Sequence, residues 1–274
     1  WDLDNDGVYD DATGVTAQFR TTDDGTYTVG LRVTDDDGAV GIDTAQVTVN
    51  NVAPTAEAAG PYTTNEGSPI TLDGSGSTDP GLDITTWDWD LDNDGLYDDA
   101  SGETVGNTWP DNGIYSIGLR ATDDDGASGV DTSTVTILNV APVTEAGADH
   151  AVAEGTAYAS SGSFVDPGAD TWTATVDYGD GTGPQSLTLN ADKSFGLGYT
   201  YDENGEYTVT VCVTDDDAAE GCDHATVTVN NVAPTVEAGA NHTVAEGSAY
   251  RSSGSFVDPG ADTWTVTVNY GYGS

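Results

Sequence analysis

The chain has 274 residues, of which 48 are acidic and five are basic, for a formal net charge of −43 at pH 7. A field of that size and sign repels nucleic acid and anionic membrane surfaces and favours cations as partners. No apolar run approaches the roughly 20 residues that span a bilayer, while thirteen Tyr, six Trp and alternating runs of Val and Thr argue against disorder.

The first stretch, "WDLDNDGVYDDATG" from Trp1, returns as "WDLDNDGLYDDASG" from Trp89 with twelve of fourteen positions unchanged. Asp2, Asp4 and Asp6 before Gly7, and Asp90, Asp92 and Asp94 before Gly95, have the D-x-D-x-D-G spacing that opens an EF-hand loop. Calcium takes six to eight hard oxygens, and alternating aspartates across a tight turn aim three carboxylates at one point. Asp10 and Asp98 fall at the ninth position, and Asp11 and Asp99 stand ready to close the shell. The bidentate Glu of the twelfth position is missing, since Thr13 and Ser101 stand there. The expectation is a calcium-loop-like turn carried by strands rather than an EF-hand. Solvated Asx turns are the competing reading; mutual repulsion among five unpaired aspartates favours the cation.

Next come "YTVGLRV" (27–33) and its later counterpart "YTVTVCV" (207–213), which alternate as half-buried strands do. "TDDDG" at Thr34 and Thr122, with "TDDDA" at Thr214, fits the turn of a hairpin and is read as solvated turn rather than as a cation loop. A linker follows: "NNVAPT" from Asn50, "LNVAPV" from Leu138 and "NNVAPT" from Asn230, at periods of 88 and 92 residues. Tyr27 to Pro54, Tyr115 to Pro142 and Tyr207 to Pro234 are each 27 residues apart, which marks one structural unit with one tail. Proline fixes φ and biases the preceding Ala towards extended backbone, so the connection is short and stiff.

The parts are a half unit (1–50), two whole units (51–138 and 139–230) and a second half unit (231–274). Units of this length, with strand-length runs and turn signals, fit β-sandwiches of about seven strands. The fold class is all-β: tandem Ig-like antiparallel sandwiches joined by short Pro linkers into an extended rod. There is no Met, and the half units read as a window on a longer repetitive protein. Completion of one chain's end by the start of the next is the competing account.

"YTYDENGEYTVTVCVTDDD" (199–217), "VDYGDGT" (176–182) and "GSGSTDPGLDITTWDWD" (74–90) resemble the E–F corner, the Asp-Gly-Thr turn and the B–C region of PKD domains, the polycystic-kidney-disease-type sandwich. The resemblance covers nearly the whole chain. It departs at Ala218, where Gly38 and Gly126 stand in other units, at Asn269 and Tyr272, which replace Asp177 and Asp180, and in the longer "DLDNDG" turn. "STDPGLD" and "FVDPGAD" pair Asp79 with Asp83, Asp166 with Asp170 and Asp258 with Asp262. The resemblance implies Asp79 and Asp83 as further calcium ligands, with Asn51 beside them.

Alternation along 207–213 turns Val209, Val211 and Val213 inward and Cys212 outward. Cys222 takes the outward place of Ile42 and Val130 on the next strand, so a hairpin disulfide between Cys212 and Cys222 is expected and points to an exported chain. His150 and His242 are equivalent surface positions, and Asn241-His242-Thr243 is a glycosylation sequon at Asn241. No G-x-S-x-G, H-E-x-x-H or Gly-rich phosphate loop is present, and repeated turn carboxylates lack the buried cleft that separates two pKa values. An enzyme is not expected.

The expected function is a structural or adhesive segment of a long calcium-stiffened stalk, fibre or surface protein, extracellular or at the cell surface. Its partners are calcium, neighbouring repeats and other copies in a fibre. The competing function is a carbohydrate- or protein-binding module beside a secreted hydrolase, with glycans or matrix protein as partners. That reading needs an exposed aromatic platform, for which Trp109 and Tyr250 are the candidates.

Overall fold

Runs in which a β-branched or aromatic residue alternates with Thr, Ser or Gly form the long strands of this protein. The computed structural model describes residues 1–271, and all regular structure among them is β; Tyr272 lies outside the described residues. The chain divides into two compact units, Trp1–Leu138 and Asn139 onward.

The first unit begins with the antiparallel hairpin β1 (Gly25–Thr34) and β2 (Val40–Val49), in which Tyr27 faces Val47 and Arg32 faces Ile42. A sandwich follows, built from β3 (Tyr62–Asn65), β4 (Ile70–Asp73), β5 (Ile84–Asp90), β6 (Ala100–Ser101), β7 (Thr104–Asn107), β8 (Gly113–Asp123) and β9 (Ser128–Leu138). One sheet runs β3-β9-β8-β5-β6 and the other is β4-β7. Leu72 and Val105 of the short sheet meet Trp89, Ile117, Leu119 and Val135 of the long one in a single core.

The second unit holds β10 (Val143–Glu145), β11 (His150–Ala153), β12 (Ala157–Val165), β13 (Thr173–Asp177), β14 (Gln185–Leu187), β15 (Ser194–Thr200), β16 (Gly205–Thr214) and β17 (Glu220–Asn230). Its sheets run β11-β17-β16-β13-β14 and β10-β12-β15, and the pair β18 (Thr235–Glu237) and β19 (Ser255–Val257) follows. Tyr158, Phe195, Tyr201, Val209, Val211 and Val227 form its core. The inward valines of β16 are those expected. Cys212 lies directly opposite Cys222 in the ladder, and the two are bonded.

Two features differ from the sequence expectations. The sandwiches are not wholly antiparallel: β3 runs parallel to β9 and β11 parallel to β17. The chain enters on the short-sheet side, through the Thr55–Thr78 bridge in one unit and the β10–β12 pair in the other. It then crosses at positive-φ residues, Ala59 and Gly60 or Gly147, and joins the long sheet beside its last strand. Trp109, a candidate for the exposed aromatic platform that the competing binding-module reading needs, is 6% exposed. Its ring lies 5.6 Å from that of Tyr115, within the core. Tyr250 is 48% exposed.

The Pro linkers are held by the repeat they lead into. Asn51 Nδ2 donates to Asp123 and Asn139 Nδ2 to Asp215, at 2.9 and 3.0 Å. The amides of Ala58 and Ala146 donate to Asp131 and Asp223, both at 2.8 Å. Between these anchors the proline carbonyl presses on a glycine: a Cβ on Gly129 would lie 2.0 Å from Pro54 O, and one on Gly221 would lie 1.7 Å from Pro142 O. Gly41, at the same repeat position, has nothing within 4 Å. Gly221→Ala is expected to lower stability by about 1–3 kcal/mol in chemical denaturation, while Gly41→Ala leaves it unchanged.

Candidate metal sites

Each D-x-D-x-D-G loop follows a tryptophan, buried in the core for Trp89 and half-buried for Trp1. Trp89, with no exposed surface, donates its indole N–H to Gly102 O at 3.0 Å, and Trp1 does the same to Gly14 O at 3.0 Å. The next residue, Asp90 or Asp2, pairs with Gly118 or Gly30 of the neighbouring strand. That pairing buries the aspartate, leaving Asp2 and Asp90 each 4% exposed. Asn5 and Gly7, like Asn93 and Gly95, take positive φ; Asn and Gly are the residues that enter this region at least cost. Tyr9 and Tyr97 then fold back over Gly30 and Gly118, where a Cβ would lie 3.1 and 3.0 Å from the ring.

The carboxylates converge as the spacing requires. Oxygens of Asp2, Asp4 and Asp6 lie within 4.8 Å of one another, and so do those of Asp90, Asp92 and Asp94. The loop's own amides hold them: Gly7 N donates to Asp2 at 3.0 Å and Val8 N to Asp6 at 2.7 Å, matched by Gly95 to Asp90 and Leu96 to Asp94. Asp11 turns back to accept from Leu3 N at 2.5 Å and Asp4 N at 3.3 Å, and Asp99 does so from Leu91 and Asp92. Asp10 and Asp98 are exposed and make no side-chain hydrogen bond in the loop. Asp2 Oδ1 and Asp90 Oδ1 are buried without a hydrogen-bond partner, although buried polar atoms are nearly always satisfied. The donor set, oxygen only and anionic, suits a hard cation.

Electrostatics carry the same signal. The Asp6 amide draws the Asp4 carboxyl down, but partial burial and the charges of Asp11, Asp6 and Asp2 outweigh it, leaving Asp4 raised. Asp92 is raised in the same way against the Asp94 amide, by partial burial and by Asp94, Asp99 and Asp90. Among the described residues the one ion pair is Arg120 with Asp88, at 2.9 Å.

Asp79 and Asp83 line a cleft with Thr21, Thr22, Asp24 and Asn51, where the first half unit meets the repeat after it. Asp79 is 6% exposed, and Asp79 Oδ2 and Asp83 Oδ1 are buried without a hydrogen-bond partner. Burial and the neighbouring Asp79 raise the Asp83 carboxyl. The "TDDD" turns are different, because their first aspartate is engaged by the turn itself: Asp35, Asp123 and Asp215 each accept at 2.7 Å from the amide four residues on. Asp177 and Asp180 likewise serve their own turn through Gly179 and Thr182. Asn241 is exposed.

Sequence reasoning missed one acidic position. Glu66 and Glu154 have no exposed surface, and Glu154 meets Asp258 and Asp262. The signal was available: a Glu-Gly pair recurs at 66, 154 and 246, on the period of the Pro linkers.

The family model described as PKD domain matches residues 51–137 and 139–230. The chain belongs to the PKD domain family. Solved structures similar to these PKD repeats include the PKD domain of an M14-like peptidase from a Thermoplasmatales archaeon, 24% identical over 34% of this chain and 98% of that one, with a TM-score of 0.26. The fibronectin(III)-like modules of Clostridium thermocellum CbhA are 15% identical over 64% of this chain and 93% of theirs, at 0.27. A tetra-tandem repeat from the extending region of a large adhesion protein is 18% identical over 78% and 60%, at 0.34.

Asp24, which lines the same cleft, pushes the Asp125 carboxyl up to about 6 through a hydrogen bond and its charge, with partial burial, Asp124 and Asp123 adding to the shift. Since the folded value lies above the ordinary 3.8, this group favours the fold in acid and loses that contribution as pH rises through about 6. NMR titration of the Asp125 carboxyl carbon is expected to show a midpoint near 6 in the metal-free chain and a fall towards the ordinary value in Asp24→Asn.

Proposed function

We propose that this chain is a structural segment of an extracellular or cell-surface protein, in which calcium held by acidic loops stabilises each PKD repeat and stiffens the joints between them. The observation that carries the reading is the buried, unpartnered carboxylate oxygen of Asp2 and of Asp90, set in two loops of the same construction. Asp2, Asp4 and Asp6 hold one ion, Asp90, Asp92 and Asp94 a second, and Asp79 and Asp83 a third beside Asn51. The bound ion adds positive charge to loops beside which Arg32 and Arg120 lie over Tyr9 and Tyr97, at 5.0 and 5.2 Å, and make no salt bridge with the three converging aspartates. Extracellular modules bind calcium at roughly 10⁻⁴–10⁻³ M, and a ligand at a hundred times its Kd adds about 2.7 kcal/mol per site.

The loops and the cleft have separate tasks. The loop residues leave the long sheet beside the middle of β8, where Asp90 faces Gly118, so the ion there secures one sandwich. Asp79 and Asp83 face residues of the preceding half unit, so an ion there restrains a joint. An adhesive role in the same protein follows from spacing a binding domain away from a surface. Burial of Trp109 removes one of the two aromatic residues on which a glycan-binding reading rested.

Small-angle scattering of the whole chain tests the proposal. In millimolar calcium an elongated particle with a defined maximum dimension is expected; in chelator, and in Asp79→Asn/Asp83→Asn, the distribution broadens. Superimposable curves with and without chelator would contradict it.

A further inference from the structure

We infer that a separate divalent-cation site lies at the joint after Asn230, formed by Glu154 of the repeat 139–230 and by Asp258 and Asp262 of the segment that follows. Asp258 and Asp262 stand where Asp79 and Asp83 stand in an earlier repeat, so the inference rests on the joint reading above; what it adds is Glu154, a ligand from the preceding repeat.

Glu154 follows β11 and begins a tight turn, its amide bonded to Asn230 O at 3.0 Å and that of Gly155 to Tyr201 O at 2.8 Å. The Asp258-Pro259-Gly260 loop lies directly on this turn. A Cβ on Gly155 would come within 2.9 Å of Pro259, and one on Gly260 within 3.0 Å of Glu154 Oε2, so both glycines are needed for the approach. Ala261 N donates to Asp202 O at 2.8 Å, which fixes the loop against the repeat.

Glu154 is fully buried. Its Oε1 accepts from Val232 N at 2.6 Å, within the Pro linker itself. Its Oε2, facing the aspartate loop, has no hydrogen-bond partner. A buried carboxylate with one oxygen satisfied and the other bare is costly unless a cation completes it. Asp258 is oriented by Trp264, whose Nε1 donates to Oδ2 at 2.7 Å. The Asp262 carboxyl is raised by burial first, then by the charges of Glu154 and Asp258.

One oxygen from each of the three residues lies within 4.8 Å of the others. Calcium–oxygen distances of 2.3–2.6 Å allow ligands on opposite sides of one ion to stand about 5 Å apart, so the three oxygens fit a single calcium-sized shell. With no sulfur or imidazole among the donors, the site favours a hard ion over zinc. The linker amide on Oε1 and the metal on Oε2 would make Glu154 the post on which both the linker and the next repeat are fixed.

The test uses the whole chain in an Asp2→Asn/Asp83→Asn/Asp90→Asn background, which removes the other proposed sites. Calorimetric titration counts bound calcium, and the part of the terbium emission that is lost in Trp264→Phe reports on this site, since Trp172 stands in the same way beside Asp166 at 2.9 Å. The background chain is expected to bind calcium and to sensitise terbium. Adding Glu154→Gln or Asp262→Asn should remove one calcium per chain and the Trp264-dependent part of the emission, whereas Trp264→Phe should reduce emission and leave the calcium count unchanged. The two acidic variants sit on opposite sides of the joint, so a folding defect in one leaves the other as the test. An unchanged calcium count and unchanged emission in both would overturn the inference, as would a background chain that binds none; in the latter case, binding by the unsubstituted chain would leave the loop reading standing.

Discussion

Carboxylates gathered within a few ångströms of one another set the electrostatic problem that the acidic loops of this molecule must solve. Each acidic loop gathers three within 4.8 Å, and the neighbouring charges help to raise Asp4 and Asp92. Surface turns usually disperse such charge into water or pair it with lysine. Here the buried member of each trio, Asp2 or Asp90, keeps one oxygen from both. Backbone amides take up part of the charge, as Asp11 and Asp99 show by capping the loop from behind, but an amide carries only a partial positive charge. Trp89, Tyr97 and Gly118 hold the buried Asp90 in place.

A second constraint acts along the chain. The linkers at Pro54 and Pro142 are each clamped on the repeat that follows by an Asn–Asp bond, a closely packed glycine and an Asp–amide bond. A repeat therefore carries its own leading linker as a rigid extension. The stiffness of the array is then decided where that extension meets the preceding repeat. At such joints the chain again places acids: Asp24 with Asp79 and Asp83 at one, and Glu154 with Asp258 and Asp262 at another. Clustered carboxylates thus recur both within the single sandwich and at the joint.

The parts of this arrangement that are local in sequence were legible in it. Strand alternation in 207–213 and the constant Tyr-to-Pro spacing led to the sandwich, the disulfide and the linkers, because period and spacing are set by backbone geometry. The aspartates of the loops could be grouped because the turn that gathers them is only six residues long. What escaped depends on distant partners. Glu154 meets its aspartates more than a hundred residues later in the chain, and nothing nearby marks it as buried. Trp109 sits beside a proline in a turn-like stretch, yet its ring fills the core under Tyr115. The parallel first strand follows from a crossing between sheets, which no pattern within four residues can encode.

Thermal unfolding of the unsubstituted chain in millimolar calcium, set against sodium chloride of matched ionic strength with chelator, tests the dependence on bound cation most directly. Screening alone is the same in both, so specific binding predicts a midpoint higher by more than about 5 °C in calcium, rising further with concentration. Coincident unfolding curves would contradict the account.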